Sequence, residues 1–551
     1  MKICYKWIMK NFIIRNKNLI LLWVLCGVGL CIFCGHYSNT LLDIGREIYY
    51  PERILRGDVL YRDLFNIYGP FSYLWNAVLY KTISPNILTL YLSGCVCAFG
   101  IVSGIYLLAK KFLSEGLSFA LGAFAVMTGV CATHLFNFTL PYSFAMLYGT
   151  VAFIYSLLFL VKFKETNSPH WLYLSSLLYG ICIANKYDFF LYGILVLAVA
   201  LKTKNKRVIL NSLTCLMLVP VVLFIVLVLQ GLRLNDIITA ATDIKHVISS
   251  KSLTYFYKVQ GIYFSPTAIL LWLINLLRTG IGFAGLMLGA KLTEKNKVLG
   301  YITVGFFAFI TLILTSPPVF MFIAPLAIIL LIIGGKQAKI GSKAVILTLG
   351  ALSVCAKSFW VMLPMNYGVY VLPTILTAGL VLLFSLIDKK YEKVFAVGLV
   401  AVGLNFFGNA FIERVKLNSP IVTEKGVIYT HQNNAEVTNG LIKILRENEI
   451  KTAYIYPEGL TVNFLSNVDG DGYFNSFLPL YAESFGEKAF IDAVEKHKPE
   501  VIVLSNQNMK EYGVEYICSN YAFEFCDYLA KNYTMTYNLD KGFRFVVFER
   551  K

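Results

Sequence analysis

The sequence has little charge for its length, and this scarcity excludes an ordinary soluble domain. Only 15% of the 551 residues are Asp, Glu, Lys or Arg, whereas 57% are hydrophobic and the mean hydropathy is +0.65. The hydrophobic residues are grouped in runs of about 18–25, long enough to cross a hydrocarbon core of roughly 30 Å. Because lipid offers no hydrogen-bond partners to the backbone, each run is expected to be a helix. The composition predicts a polytopic α-helical membrane protein.

Motifs for several kinds of chemistry are also missing. The six histidines are scattered and the twelve cysteines lack metal-ligand spacing, so neither residue type indicates a metal centre. The absence of a Walker-type loop argues against an ATP-driven pump. Cys518 and Cys526 lie close together in the polar C-terminal region, and whether they form a disulfide stays open because that depends on the compartment.

Most of the positive charge lies in short loops between the hydrophobic runs. The net charge of +17 comes from 49 Lys and Arg against 32 Asp and Glu. Because positive loops of membrane proteins face the cytoplasm, we interpret this excess as a topology signal, and expect no nucleic-acid partner. The lysine-rich loops begin at residues 110, 162, 202, 291, 336 and 388.

Thirteen candidate spans alternate from a cytoplasmic N-terminus. The basic N-terminal segment precedes a run that lacks a small-residue cleavage site, so we expect a retained first span. The alternation places every lysine-rich loop in the cytoplasm of a multi-pass protein of the plasma (inner) membrane. The spans are 18–38, 87–108, 117–134, 140–161, 171–185, 188–201, 208–231, 266–290, 298–316, 319–334, 344–360, 370–387 and 393–411.

The chain divides into a transmembrane domain, residues 1–411, and a polar region, residues 412–551. An odd number of spans places the polar region outside the cell. Its patterns predict an α/β domain, with helices at "EVTNGLIKILRENE" and "EKAFIDAVEKHKP" and strands at "TAYIYP", "EVIVLS" and "FRFVVFER". Within the transmembrane domain, residues 39–86 form a long first outer loop.

The first outer loop carries acids and arginines at the membrane border. In a helix over 41–55, Asp43, Arg46, Glu47 and Tyr50 share one face, and Pro51 marks a break or a new helix start. Two carboxylates with an arginine between them suit a base near an anionic substrate. The alternative is a solvated loop with ordinary surface charges.

The pattern D-x-G-R-E, followed by "LRGDVLYRDLF" and by "YGP" ahead of the next span, resembles the GT-C class of membrane glycosyltransferases. That class includes protein O-mannosyltransferases and the bacterial transferases that add aminoarabinose to envelope lipids. The stretch "YPEGLTVNFLSN" at 456–467 looks like the C-terminal region of its bacterial members. The resemblance implies an N-in topology with about 11–13 spans, often with an extracytoplasmic C-terminal domain.

The resemblance also implies a reaction. A hexose or pentose leaves a polyprenyl-phosphate donor, with inversion, for an acceptor that is a lipid, a glycan or a protein of the envelope. Asp43 matches the first-loop acid that acts as general base. Glu47 is its neighbour or substitute, because the second acid of the family pattern is displaced here to i+4. Some members use a divalent metal ion held by carboxylates, so metal dependence stays open.

A polyprenyl phosphate is anionic and needs cations as charge develops on the leaving oxygen. Arg46, Arg62 and Lys186 are the outer-facing cations expected to bind it. Lys186 lies in the turn "NKYD" between two short spans, where a lysine is costly unless it has a partner or lines a wet cavity. Weaker candidates for substrate binding are Asp63, Tyr68 and Lys357.

Two other kinds of membrane protein fit the composition. An O-antigen polymerase or ligase has a large outer loop but usually lacks a C-terminal α/β domain. A lipid or sugar transporter tends to show repeated halves and broken helices at the midplane. Because the charge of this chain is concentrated at the outer border, the sequence favours the glycosyltransferase.

Overall fold

The predicted architecture, a polytopic helical membrane protein with a C-terminal α/β domain, is confirmed. The computed structural model describes residues 2–38, 40–259, 266–314, 341–354, 389–470, 472–474 and 476–551, together with residues 374, 377, 379 and 381. The helices of the membrane part are α1 (Lys2–Phe33), α2 (Gly45–Arg56), α3 (Phe71–Thr82), α4 (Ile87–Ala109), α5 (Glu115–Ala125), α6 (Phe144–Thr166), α7 (Pro169–Asn185), α8 (Phe190–Leu201), α9 (Lys206–Leu229), α10 (Leu234–Ile248), α11 (Lys251–Val259), α12 (Pro266–Lys295), α13 (Lys297–Leu314), α14 (Ser342–Val354) and α15 (Glu392–Lys416).

Among the described residues, six helices are long and apolar enough to cross a membrane: α1 from Asn16, α4, α6, α9, α13 and α15. Three shorter apolar segments join them, Glu115–Val130, Tyr187–Leu201 and Ser342–Val354. The predicted spans 319–334 and 370–387 lie outside the described residues, apart from four single positions, and the span 344–360 is described only to residue 354. The count of thirteen therefore stays a prediction.

The two ends of the helical bundle carry different groups. At one end the lysine-rich loops meet, where the ammonium groups of Lys111 and Lys343 lie 2.7 Å and 3.3 Å from the carboxylate of Glu165. At the other end His36, just after α1, forms an isolated β-bridge with Tyr429 of the C-terminal region. We call this second end the domain side. The relative placement agrees with spans that alternate in direction.

The C-terminal domain begins after α15 and contains two sheets. A hairpin of β1 (Ser419–Thr423) and β2 (Gly426–Thr430) precedes a four-stranded sheet in the order β3-β4-β6-β5. The strands of that sheet are β3 (Ala453–Tyr456), β4 (Val501–Ser505), β5 (Tyr533–Asp540) and β6 (Arg544–Arg550), and the helices of the domain are α16 (Gln432–Glu447), α17 (Leu460–Ser466), α18 (Pro479–Phe485), α19 (Glu487–His497) and α20 (Phe523–Asn532). The predicted helices correspond to α16 and α19 and the predicted strands to β3, β4 and β6, so all five are confirmed. Cys518 and Cys526 form a disulfide, with 5.7 Å between their Cα atoms.

Two buried strands of this sheet bring distant loops together. Every residue of β3 and β4 is buried, as expected for strands covered on both faces. The two strands are parallel neighbours, so their carboxyl ends lie at the same edge of the sheet. The chain segments that follow, 457–459 and 506–511, are therefore adjacent.

The C-terminal domain packs closely on the first loop of the membrane part. A side chain at Gly45 would place its Cβ 2.7 Å from the Cβ of Leu460, so only glycine allows this approach. The hydroxyl of Thr461 donates to the carbonyl of Thr40 at 2.7 Å. Arg53 on α2 donates to the carbonyl of Gly470 at 3.1 Å. The start of α2 is thus fixed by residues more than 400 positions later in the chain.

Candidate functional site

The helix that carries the first-loop charges begins later than predicted. It starts at Gly45 rather than at residue 41, and Asp43 lies in the preceding turn. Asp43 therefore does not share a helix face with Arg46 and Glu47, because contacts with the C-terminal domain fix the chain just before Gly45. The predicted break at Pro51 is also wrong, since α2 continues through this residue to Arg56. The hydroxyl of Tyr80 donates to the carbonyl of Ile48 at 3.0 Å, in the turn where the proline weakens the helix's own bonding.

Two cations of the domain side are connected through two phenols. A guanidinium nitrogen of Arg46 donates to the hydroxyl of Tyr142, and that guanidinium also lies 5.5 Å from the centroid of the tyrosine ring. The hydroxyl of Tyr68 donates to the hydroxyl of Tyr142 at 3.3 Å. The ammonium of Lys186 lies 4.8 Å from the centroid of the Tyr68 ring. We call Arg46, Tyr142, Tyr68 and Lys186 the cation–tyrosine chain.

The "YGP" motif explains how Lys186 reaches this chain. The backbone N–H of Gly69 donates to the carbonyl of Asn185 at 2.8 Å. A Cβ at Gly69 would lie 2.1 Å from the carbonyl oxygen of Ala184, so the close approach requires glycine. The residues on either side of this contact, Tyr68 and Lys186, are thereby brought together. Lys186 is 3% exposed, and its ammonium lies 3.7 Å from the carboxylate of Asp188.

Glu47 is enclosed and fully buried. The hydroxyl of Tyr73 donates to one carboxylate oxygen at 2.8 Å, and the backbone N–H of Phe144 donates to the other at 2.9 Å. Burial raises the pKa of Glu47, while these two hydrogen bonds oppose the rise. The carboxylate thus connects α2 to α3 and to the first residue of α6. These connections fix the segments of the chain that carry Arg46 and Tyr142.

Two acids of the C-terminal domain complete the neighbourhood of Asp43, and sequence reasoning missed both. Glu458 follows β3 and accepts a hydrogen bond from the side-chain amide of Gln507 at 3.2 Å. Gln507 and Glu511 follow β4 at the same edge of the sheet. The signal that marks Glu458 is its place directly after the predicted strand "TAYIYP", within the stretch 456–467. Glu511 carries no comparable signal.

The three carboxylates influence one another. Burial raises the pKa of Asp43 well above its ordinary value, and the charges of Glu458 and Glu511 raise it further, whereas Arg46 lowers it. Burial likewise raises the pKa values of Glu458 and Glu511. Among the described residues, no other side chain hydrogen-bonds to the carboxylate of Asp43, which is partly exposed. Asp43 is therefore a half-buried carboxylate with elevated proton affinity, and a hydrogen bond from its own backbone N–H opposes the rise of its pKa.

Arg62 and Asp63 do not join this cluster. They form an ion pair of 2.7 Å with each other, and each side chain is about one-third exposed. Arg62 also donates to the carbonyl of Gly231 at 3.2 Å, beyond α9. Asp63 accepts from the backbone N–H of Val59 at 2.8 Å, which shapes its own turn. The roles of Arg62 and Asp63 in substrate binding stay predictions, and in the structure the two charges pair with each other.

Two further predictions concern Lys357 and a metal ion. Lys357 lies outside the described residues. Within the part of the chain that the structure describes, no group of three or more His, Cys, Asp or Glu side chains is arranged to hold a metal ion. The acids around Asp43 are electrostatic neighbours without forming such a set, so we derive no step through a metal.

The site combines cations and acids from two parts of the chain. Arg46 and Lys186 belong to the membrane part, as do the buried carboxylates of Glu47 and Asp188, whereas Glu458 and Glu511 come from the C-terminal domain. The charge of Asp43 interacts with both Arg46 and Glu458. A cation next to an acid of raised proton affinity is the combination that can bind an anion and accept a proton beside it.

Comparisons with known proteins concern the fold. No family model and no curated protein matches the chain. The chain is similar to the crystal structure of ArnT from Cupriavidus metallidurans bound to undecaprenyl phosphate, with 12% identity, a TM-score of 0.45 and coverage of 97% of this chain and 98% of that one. It is also similar to the archaeal oligosaccharyltransferase AglB from Archaeoglobus fulgidus in complex with an inhibitory peptide and a dolichol-phosphate, with 9% identity, a TM-score of 0.47 and coverage of 90% and 70%.

Proposed function

We propose that this chain is an integral membrane glycosyltransferase that moves a sugar from a polyprenyl-phosphate donor to an acceptor hydroxyl on the domain side of the membrane. One observation carries the proposal. Asp43, a half-buried carboxylate with a raised pKa, interacts with the charge of Arg46, which two tyrosines connect to the buried Lys186.

The cation–tyrosine chain suits the phosphate of the donor. Buried cations are costly unless an anion or another partner compensates them. Lys186 already has the carboxylate of Asp188 at 3.7 Å, whereas the guanidinium of Arg46 donates to the neutral phenol of Tyr142, so a phosphate adds negative charge beside Arg46. The oxygen of Tyr142 accepts from both Arg46 and Tyr68, so its own proton is directed to none of the described residues. Two cations and this hydroxyl are three donors for phosphate oxygens.

A lipid-linked donor also needs a route from the bilayer. Tyr187 and Phe190 flank the turn that holds Lys186, and their side chains are 52% and 61% exposed. Exposed aromatic groups at the end of a membrane helix are typical of the membrane interface. In our proposal the isoprenoid chain lies against the end of α8, and the phosphate enters toward Lys186.

The chemical step needs a single base. Asp43 removes the proton from the acceptor hydroxyl as its oxygen attacks the anomeric carbon, and the bond between that carbon and the phosphate oxygen breaks. Direct displacement inverts the configuration. The negative charge that develops on the departing polyprenyl phosphate is stabilised by Arg46 and Lys186. Glu47 has a positioning role in this scheme, because its carboxylate is already engaged by Tyr73 and Phe144.

The disulfide bears on the orientation of the protein. Disulfides persist in oxidising compartments and are rare in the cytosol. The bond between Cys518 and Cys526 therefore supports an extracytoplasmic C-terminal domain, and with it a reaction outside the cytoplasm. Nucleotide-activated sugars are scarce there, which favours a lipid-linked donor.

The experiment compares two aspartates of the same loop in the full-length protein. Asp43→Asn and Asp63→Asn variants are reconstituted in nanodiscs with a panel of radiolabelled undecaprenyl-phosphate sugars and an envelope extract as acceptor. We expect Asp43→Asn to reduce transfer by at least about 100-fold, the usual range for a general base, and Asp63→Asn to retain most of it. Normal transfer by Asp43→Asn excludes the assigned base, and absence of transfer by the unmodified protein with every donor excludes the proposed function.

A further inference from the structure

Helix α10 is amphipathic in three sectors rather than two. At about 100° per residue, Ala240 and Val247 mark one face of the helix. Both are buried. The side chains of Leu234, Ile238 and Ile248 fall together in a second sector and are 71%, 57% and 62% exposed. A third sector is exposed and polar and consists of Asn235, Thr239, Thr242 and His246.

The buried face of α10 holds the C-terminal domain. Val247 belongs to the apolar core of that domain, and the carboxylate of Asp243 accepts from the hydroxyl of Tyr473 at 2.8 Å. The helix packs against α18, which carries Tyr481. Tyr481 interacts electrostatically with Arg46 of the cation–tyrosine chain. The position of α10 therefore influences the position of Tyr481, and through it the surroundings of Arg46.

The exposed apolar sector of α10 begins close to the end of a helix that is long and apolar enough to cross a membrane. Helix α9 is a membrane span whose outward side chains include Ile225 and Leu229, which are 50% and 81% exposed. Only residues 230–233 separate Leu229 from Leu234. Even a fully extended connection of this length reaches no more than about 17 Å, so α10 begins at the border of the bilayer.

We propose that α10 lies in the membrane interface on the domain side, with Leu234 and Ile238 in contact with lipid, and that this contact braces α18 and Tyr481 against the site. The partner is the lipid surface itself. Lys245 falls in the same sector and is exposed, so its stem covers the apolar surface while its ammonium reaches lipid headgroups. The polar sector, one residue further round at Thr239, faces water.

Photo-cross-linking tests the contact without any assay of activity. Benzoylphenylalanine replaces Ile238 or Thr239 in the full-length protein in phosphatidylethanolamine–phosphatidylglycerol nanodiscs that contain an alkyne-tagged phospholipid. Position 225 on α9 serves as the lipid-facing reference. We expect labelling at 238 to approach that at 225 and to exceed labelling at 239 by about fivefold or more, because an interfacial helix buries only its apolar sector. Equal labelling at 238 and 239, whether high or low, overturns the proposal.

The bracing role is tested by sugar transfer and therefore rests on the proposed function. We expect Ile238→Glu to lower transfer several-fold, because a carboxylate cannot enter the acyl region, whereas Thr239→Glu leaves transfer unchanged. Ile238→Trp should preserve it, since tryptophan suits the interface. Equal transfer by Ile238→Glu and Thr239→Glu excludes the brace. If the unmodified protein transfers no sugar, the proposed function fails while the cross-linking result still decides the lipid contact.

Discussion

The ammonium of Lys186 lies over the ring of Tyr68, 4.8 Å from its centroid. The lysine belongs to a turn between two membrane helices, and the tyrosine belongs to the first loop. Their contact depends on the approach of Gly69 to Ala184. The same ammonium lies 3.7 Å from the carboxylate of Asp188, so the ring and the carboxylate together hold the lysine in place.

Replacement of Lys186 is expected to affect the donor more than the acceptor. Lys186→Gln should lower kcat/KM for the lipid-linked donor by about 10- to 100-fold, because a charge-assisted contact to phosphate contributes roughly 1.5–3 kcal/mol. Lys111→Gln is the matched control, since Lys111 pairs with Glu165 at the opposite end of the helices. Steady-state kinetics with varied donor provide the measurement. Equal effects of the two substitutions contradict a phosphate contact by Lys186.

The pH dependence of transfer should follow the pKa of Asp43. A base works only when ionised, and the pKa of Asp43 is raised, so activity should be lost as the pH falls through a value well above that of an ordinary carboxyl group. Glu458→Gln removes a neighbouring negative charge. It should therefore lower the pKa of Asp43 and move the acidic limb of the kcat/KM profile to lower pH.

The control for this profile is Glu424→Gln, which removes an exposed carboxylate of the same domain. It should leave the acidic limb in place. An acidic limb that stays unchanged in Glu458→Gln, or that shifts equally in both variants, shows that Glu458 does not influence the base.

Replacement of Glu47 is expected to lower the stability of the protein, because its carboxylate has a structural role and does not react. In Glu47→Gln one of the two donors, Tyr73 or Phe144, faces an amide that is itself a donor. A buried group left unsatisfied costs roughly 1–3 kcal/mol, so the thermal midpoint should fall. Asp63→Asn, at an exposed ion pair, should change it little. A Glu47→Gln protein with unchanged midpoint and abolished transfer would instead assign Glu47 to the reaction.

His36 makes the joint between the two domains sensitive to acid. Its Nδ1 donates to the carbonyl of Leu417 at 2.6 Å, and its Nε2 accepts from the guanidinium of Arg414 at 3.2 Å, so the ring is neutral. Burial lowers the pKa of His36, the bond to Leu417 opposes this change, and Arg414 lowers it further. The ring also stacks on Tyr429, with 4.2 Å between centroids.

The direction of this pH dependence follows from the linkage between proton binding and folding. The unfolded chain binds the proton more readily, so the stabilisation by His36 is complete above the ordinary pKa of 6.5 and is lost as the pH falls from there to the lowered folded value. His36→Gln should flatten the dependence of the thermal midpoint on pH between about 7 and 5, whereas His170→Gln, at an exposed histidine, should not. Parallel curves for His36→Gln and the unmodified protein would falsify this role.

The sequence predicted elements better than the relations between them. Long hydrophobic runs, lysine-rich loops and short alternating patterns are local signals, and the helices and the three predicted strands followed from them. In the site, Asp43, Arg46 and Lys186 were expected together because each borders a span on the same side. Arg62 has the same border position but pairs with Asp63 at the surface, and no local pattern distinguishes it from Arg46, which contacts the phenol of Tyr142.

Glu458 and Glu511 were missed for a different reason. Their proximity to Asp43 depends on the parallel pairing of β3 with β4 and on the docking of Gly45 against Leu460. Such contacts between distant parts of the chain leave no periodicity in either segment. The start of α2 was predicted too early for the same reason, because contacts with the C-terminal domain determine where this helix begins and helix propensity does not.

The docking of Gly45 against Leu460 also has a consequence for how the protein is made. The turn that contains Asp43 emerges from the ribosome early, whereas the residues that fix it, such as Thr461, follow more than 400 positions later. Contacts of such separation form late, because a long loop must close before they contribute. A chain that stops before α17 therefore inserts its helices while Asp43 and Arg46 still lack the surface that arranges them. Under the proposed function, Asp43 can therefore act as the base only after nearly the whole polypeptide has been completed.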